Sequence, residues 1–261
     1  MLKVRVIPTL LWKQFGLVKG VGFDSWRRVG PVLPAIKVYN QREVDELILV
    51  DIVAHQSSDD IDFESIHEFG QDCFVPLTVG GGIVRIEQVQ KLLRAGADKV
   101  CVNTAAYMNP CLISEIAKRH GSQCIVASID VRRNLPGTGW QCFSHSGTNP
   151  TAREAVDWAC ELEARGAGEI LVTSIERDGT FHGYDLALIE AVSSAVKLPV
   201  IASGGAGNYQ HMVDAVKLAG ASAVAAASMF HFTEQTPAGA KVAMDEAGIP
   251  VRWNFSDIGK Q

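Results

Sequence analysis

The stretch IEQVQKLLRAGADKVCVNT, residues 86–104, holds the reading of the fold. Ile86, Val89, Leu92 and Leu93 recur at helical spacing, so a helix over 86–95 presents one apolar face. Gly96 follows where a helix C-terminus favours the left-handed conformation that glycine adopts without a Cβ penalty. Lys99–Thr104 is then a short, mostly apolar run, the pattern of a parallel strand covered on both faces. Helix, glycine, strand is one unit. The same unit returns along the chain. Arg165-Gly166-Ala-Gly and Leu218-Ala-Gly220-Ala close helical segments, one of them predicted over Ala152–Ala164. Strand-like runs fall at Val4–Leu11, Glu46–Val53, Phe74–Val79, Lys99–Thr104, Cys124–Val131, Glu169–Ile175, Pro199–Ser203 and Ala223–Ser228. Eight strand–helix units in a chain of 261 residues predict an α/β fold, a single closed (β/α)8 TIM barrel. An open doubly wound sheet is the competing arrangement. No linker or low-complexity segment divides the chain, so residues 1–261 read as one domain.

Composition narrows the class. With 47% hydrophobic and 20% charged residues the chain carries enough apolar surface to fold. A net charge of −5 with scattered Lys and Arg argues against a nucleic-acid surface. No apolar run nears the roughly 18 residues of a membrane span. The opening Met-Leu-Lys-Val-Arg-Val-Ile alternates like a strand rather than a signal peptide. Six cysteines without a Cys-x-x-Cys pair read as free thiols of a cytoplasmic protein. No metal-ligand spacing or cofactor motif is present, so no metal and no cofactor is expected.

The two halves echo one another. Gly80-Gly-Gly82 ends the third run as Gly204-Gly205 ends the seventh, and Thr104 after the fourth corresponds to Ser228 after the eighth. Both pairs lie 124 residues apart, from Gly80 to Gly204 and from Thr104 to Ser228. The reading is a half-barrel internal duplication, against coincidence of Gly-rich turns. Barrel sites occupy the C-terminal strand ends. Glycine backbone N–H groups beside a hydroxyl at a helix start suit a phosphate, so two such ends imply a ligand with two. Tight turns alone are the plainer explanation. Asp51, Asp130, Glu176 and Asp178 also gather at strand ends, where a carboxylate in a drying mouth serves as acid or base. For Asp130 an ion pair with Arg132 or Arg133 competes with that role, and for Asp178-Gly179-Thr180 a simple turn. At the other end, Arg5, Glu46, Lys99 and Glu169 lie near strand starts. Pointing inward they would form a ring of alternating charge, but surface placement is the default, because interior charges are costly unless paired.

Several motifs together are similar to one family over nearly the whole chain. They are Val18-Lys-Gly20, Thr78-Val-Gly-Gly-Gly-Ile83, Ala97-Asp-Lys-Val100, Val102-Asn-Thr-Ala-Ala106, Gly121-Ser-Gln123, Ile129-Asp130, Gly166-Ala-Gly-Glu-Ile170, Arg177-Asp-Gly-Thr180, Ala202-Ser-Gly-Gly-Ala-Gly207 and Phe230-His-Phe232. The chain resembles the cyclase subunit of imidazole glycerol phosphate synthase, a barrel that pairs with a glutaminase subunit at its N-terminal face. The resemblance implies that Gly82, Asn103 and Thr104 hold one phosphate and that Asp178, Gly179, Gly205, Ala227 and Ser228 hold or border the other. It places Asp51 in the substrate site and Lys19 on a mobile first loop that closes over substrate. It makes Arg5, Glu46, Lys99 and Glu169 an ammonia gate, against the surface default, and Asp98 the residue that meets the glutaminase. Asp130 carries over as one catalytic Asp. The second is missing: the first strand reads Thr9-Leu-Leu11-Trp-Lys-Gln14-Phe, with Leu11 at the carboxylate's position. A lost general acid or base costs a factor of about 10²–10⁴. The pattern is that of a paralogue delivering glutaminase ammonia to a phosphorylated acceptor in amidino-sugar synthesis for surface polysaccharides. A histidine-pathway cyclase in which Asp51 or Glu176 replaces the missing Asp is the alternative, and a silent activator of the glutaminase a third reading.

Overall fold

The computed structural model describes residues 2–13, 16–42, 44–54, 61–134 and 139–253. Gln14 and Phe15, quoted above for the first strand, lie outside the described residues. Eight parallel strands close on themselves. They are β1 (Arg5–Lys13), β4 (Leu47–Asp51), β5 (Leu77–Gly80), β6 (Lys99–Val102), β7 (Ile125–Arg133), β10 (Glu169–Ser174), β11 (Val200–Ser203) and β12 (Ala223–Ala226). Closure runs through β12 against β1, in register Arg5↔Ala223, and through β7 against β10, in register Glu169↔Val126. Helices cover the outside between successive strands, and the fold is a (β/α)8 TIM barrel. The doubly wound sheet is excluded, because both edge strands of such a sheet are here paired.

Alternation along each strand separates two cores. Val6, Leu47, Leu49, Val100, Val102, Ile170 and Val172 face outward into the layer shared with the helices. Ile7, Ile48, Cys101, Val126, Leu171, Ile201, Ala223 and Ala225 face inward and fill the barrel's middle. The glycines expected at helix ends are there: Gly96, Gly166 and Gly220 have φ of +113°, +96° and +72°. Each turns the chain back toward the next strand without a Cβ clash.

The sequence reading misses four further strands. β2 (Gly16–Val21) and β3 (Asp24–Gly30) continue β1 as an antiparallel ribbon. β8 (Trp140–Ser144) and β9 (Asn149–Glu154) do the same after β7. The helix expected over Ala152–Ala164 therefore starts at Ala155, because residues 152–154 belong to β9 and Glu154 caps the helix by accepting from Val156 N at 2.9 Å. Phe74, placed in the third strand, precedes it and is 80% exposed. All six cysteines are free thiols; Cys101 and Cys142 are buried, Cys73 and Cys124 half-buried, Cys111 and Cys160 exposed. No described helix is long and apolar enough to cross a membrane.

Candidate active site at the barrel mouth

A cavity of about 520 Å³ opens at the C-terminal ends of the strands. Every residue assigned above to substrate or catalysis lines it: Leu11, Lys19, Asp51, Gly82, Asn103, Thr104, Asp130, Asp178, Gly179, Gly205, Ala227 and Ser228. They come from the ends of all eight barrel strands and from the β2 ribbon, which explains why they are scattered in sequence. The exception is Glu176, which is exposed and off the cavity, so it is not available to replace the missing Asp. Asp51 does line the cavity, but its Oδ1 accepts from Val53 N and Ala54 N at 2.9 and 3.1 Å, holding the turn after β4.

Asp130 sits on β7 facing the cavity. Its Oδ2 accepts from Asn103 Nδ2 at 2.7 Å, and Ser128 and Thr173 also bond it. The ion pairs considered for it do not form: Arg133 pairs with Asp185 at 3.1 Å, and Arg132 lies over the Phe143 ring. β7 alternation explains this, since Arg133 points to the opposite side from Asp130. Burial, then the charge of Asp178, pushes the Asp130 carboxyl up from 3.8 to about 7. A carboxyl with that value exchanges protons near neutrality, the range that general acid–base catalysis uses. Asp178 is also raised, by burial, against the opposing pull of the Lys19 ammonium that it pairs with. Leu11 lies between Val18 and Val50 in the sheet and offers no carboxylate.

The connection from β1 to the first helix, on which Lys19 is expected, is built as the β2–β3 ribbon. Lys19 lies on β2, is 2% exposed, and its ammonium is engaged with Asp178. The ribbon is docked over the mouth: Gly22 N donates to Asp178 O at 2.8 Å. On the other side, Thr104 Oγ1 accepts from His145 N at 3.0 Å, so the β8–β9 turn reaches the rim as well. A hydroxyl that accepts in this way keeps its own proton to donate.

Both Gly-rich turns need glycine. Gly81 has φ +104° and a Cβ there would meet Asp51 O at 2.3 Å; Gly205 has φ +110° and would meet Gly183 O at 2.2 Å. The helices Thr104–Met108 and Ser228–Phe232 start beside these turns, and the two arrangements face each other across the mouth as the half-barrel echo requires.

At the opposite end, the surface default fails for the four charges. Glu46 Oε2 accepts from Arg5 Nη1 at 2.6 Å and Lys99 Nζ at 2.9 Å, and Glu46 Oε1 accepts from Thr78 Oγ1 at 2.8 Å. Glu169 accepts from Arg5 Nη2 at 2.5 Å and Lys99 Nζ at 2.7 Å. Each cation bridges both carboxylates, which makes the interior placement tolerable. Burial alone would raise Glu169, but Arg5 and Lys99 outweigh it and hold the carboxyl below its usual range. Asp98 is exposed just before β6, its Oδ2 accepting from Leu77 N at 2.8 Å. Sequence reasoning missed a neighbouring pair. Lys241 Nζ, on the helix Pro237–Glu246, meets Asp45 Oδ1 at 2.7 Å, both buried, while Asp45 Oδ2 accepts from Val6 N at 2.9 Å.

A closed parallel barrel with a carboxyl raised toward neutrality in its C-terminal mouth has its titratable group where the active sites of barrel enzymes lie. Residues 5–236 match the family model described as histidine biosynthesis protein. The chain belongs to that family.

Proposed function

We propose that the protein is the synthase subunit of a glutamine-dependent pair. Ammonia from a glutaminase bound at the N-terminal face, around Asp98, enters past Arg5, Glu46, Lys99 and Glu169. It traverses the apolar middle of the barrel and reaches a phosphorylated acceptor beside Asp130. The observation that carries this reading is the paired ring across the barrel floor, on the same axis as the mouth cavity. Four charges from four strands have no reason to meet inside a barrel whose floor nothing passes. Ammonia is small and neutral, so the inward-facing layer of Ile7, Ile48, Val126, Leu171 and Ile201 presents no charge barrier to it. The acceptor carries a phosphate at Gly82 with Thr104 and a second at Gly205 with Ser228. Leu11 in place of a carboxylate favours amidino-sugar synthesis for surface polysaccharide over ring closure in histidine biosynthesis.

The test is glutamine hydrolysis by the glutaminase encoded nearby, with and without the barrel. The expected result is a stable complex and an altered hydrolysis rate, with Asp98→Ala weakening the complex. A barrel that neither binds that glutaminase nor changes its rate removes the reading. A second reading, the histidine-pathway cyclase, is favoured by Asp130 alone, since its value of about 7 suits acid and base roles in turn. Turnover of the bis-phosphorylated imidazole precursor with ammonium salt at an ordinary cyclase rate selects it over the first.

A further inference from the structure

Two polar atoms at the mouth have no hydrogen-bond partner among the described residues although both are buried: Thr9 Oγ1 and Asn103 Oδ1. Both residues line the large cavity with Asp130. An orphaned buried polar atom costs about 1–3 kcal/mol, and native proteins carry few. Two in one cavity point to a ligand. The chemistry of that ligand follows from what the atoms are. Asn103 turns its amide NH₂ to Asp130 Oδ2 at 2.7 Å, so the oxygen left over is an acceptor. Asp130 is itself an acceptor when ionised. Lys19, a buried cation on the same cavity wall, is already engaged with Asp178. The Asn103 oxygen and an ionised Asp130 accept, and the Thr9 hydroxyl can accept as well as donate, in contrast to the donor N–H groups of the glycine turns at the rim.

We infer that Thr9 and Asn103 form, with Asp130, a site for a nitrogen bearing several N–H groups, an amino or amidino group, and that Thr9 is a specificity-determining residue for it. Thr9 reaches the cavity from β1 and Asn103 from the end of β6, on separate parts of the barrel wall. A group held by both is fixed near the barrel axis. Ionisation of Asp130 adds charge attraction for a cationic nitrogen. This deepens the ammonia-delivery reading and rests on it for the origin of the nitrogen, but the recognition itself is a property of the isolated barrel.

The probe is acetamidinium chloride, with tetramethylammonium chloride as a cation of the same charge and counter-ion that carries no N–H, titrated calorimetrically into the full chain at pH 8. Wild-type protein is expected to bind acetamidinium and to give no heat with tetramethylammonium. Thr9→Val should weaken acetamidinium binding about tenfold, the effect of losing one hydrogen bond to a charged group. Thr9→Ser keeps the hydroxyl and should bind as wild type. Thr9→Val should also raise the melting temperature of the free protein, because it removes an orphaned hydroxyl; a hydroxyl with only a structural role would lower it. Unchanged affinity in Thr9→Val, or tetramethylammonium bound as well as acetamidinium, overturns the inference. Failure of the glutaminase to bind or respond is a separate result. It removes the source of the nitrogen and leaves these titrations standing.

Discussion

Replacing Asp130 with Asn should stabilise the protein at pH 8 while disabling it. Asp130 is raised from 3.8 to about 7, first by burial and then by the charge of Asp178. A carboxyl raised in the folded state favours folding in its protonated form. Its contribution is fully present below about pH 4 and is lost as pH rises through about 7. At 1.36 kcal/mol per pKa unit, the rise from 3.8 to about 7 corresponds to about 4 kcal/mol lost by pH 8. Asn has the shape of the protonated acid, never ionises, and keeps an oxygen to accept from Asn103 Nδ2. Asp130→Asn should therefore be more stable than wild type by about 3–4 kcal/mol at pH 8 and nearly equal to it at pH 4. The assay is urea denaturation followed by circular dichroism at half-unit steps from pH 4 to 8. A stability difference that does not grow with pH would refute the reasoning, because the carboxyl would then be ionised without penalty in the fold. The same variant should lose turnover by a factor of about 10²–10⁴, as expected when a general acid or base is removed.

Lys99→Met leaves Glu46 and Glu169 sharing Arg5 alone and should destabilise by about 3 kcal/mol in urea titrations at pH 8. Lys241→Met strands the buried Asp45 carboxylate and should cost about 3–5 kcal/mol, whereas the double change Lys241→Met with Asp45→Leu should recover much of it. Gly205→Ala, with φ +110° and Gly183 O only 2.2 Å from the added Cβ, should lower the melting temperature and weaken binding of inorganic phosphate measured by calorimetry. Crystals grown in sulfate should show an anion near Gly82 and Thr104 and another near Gly205 and Ser228; neither position filled at high sulfate would remove the phosphate assignment.

Local pattern determines the eight parallel strands of this chain. Their residues are mostly apolar on both faces and each is followed by a helix, several of them closed by a glycine such as Gly96, Gly166 or Gly220, and such units have one stable way to cover both sides of every strand. The ends of those strands then mark the mouth, so Asp130, Gly82, Thr104, Gly205 and Ser228 can be read from the chain once the barrel is inferred. The ribbons β2–β3 and β8–β9 cannot, because β3 is mostly exposed and carries no apolar alternation; its pairing is made by backbone hydrogen bonds with β2 rather than by a buried face. The floor ring is also beyond local reading. Arg5 and Glu169 are 164 positions apart, and only closure of β7 on β10 and β12 on β1 brings both onto one axis, where pairing outweighs the surface default. Lys241 looks like one more solvent-facing helix lysine until the last helix packs over β1 and sets it against Asp45. For Asn103 the motif indicates a phosphate ligand, while the fold turns its amide onto Asp130. Periodicity specifies which residues a strand end carries; which partner each side chain meets depends on strands far away in sequence, and only the closed barrel supplies it.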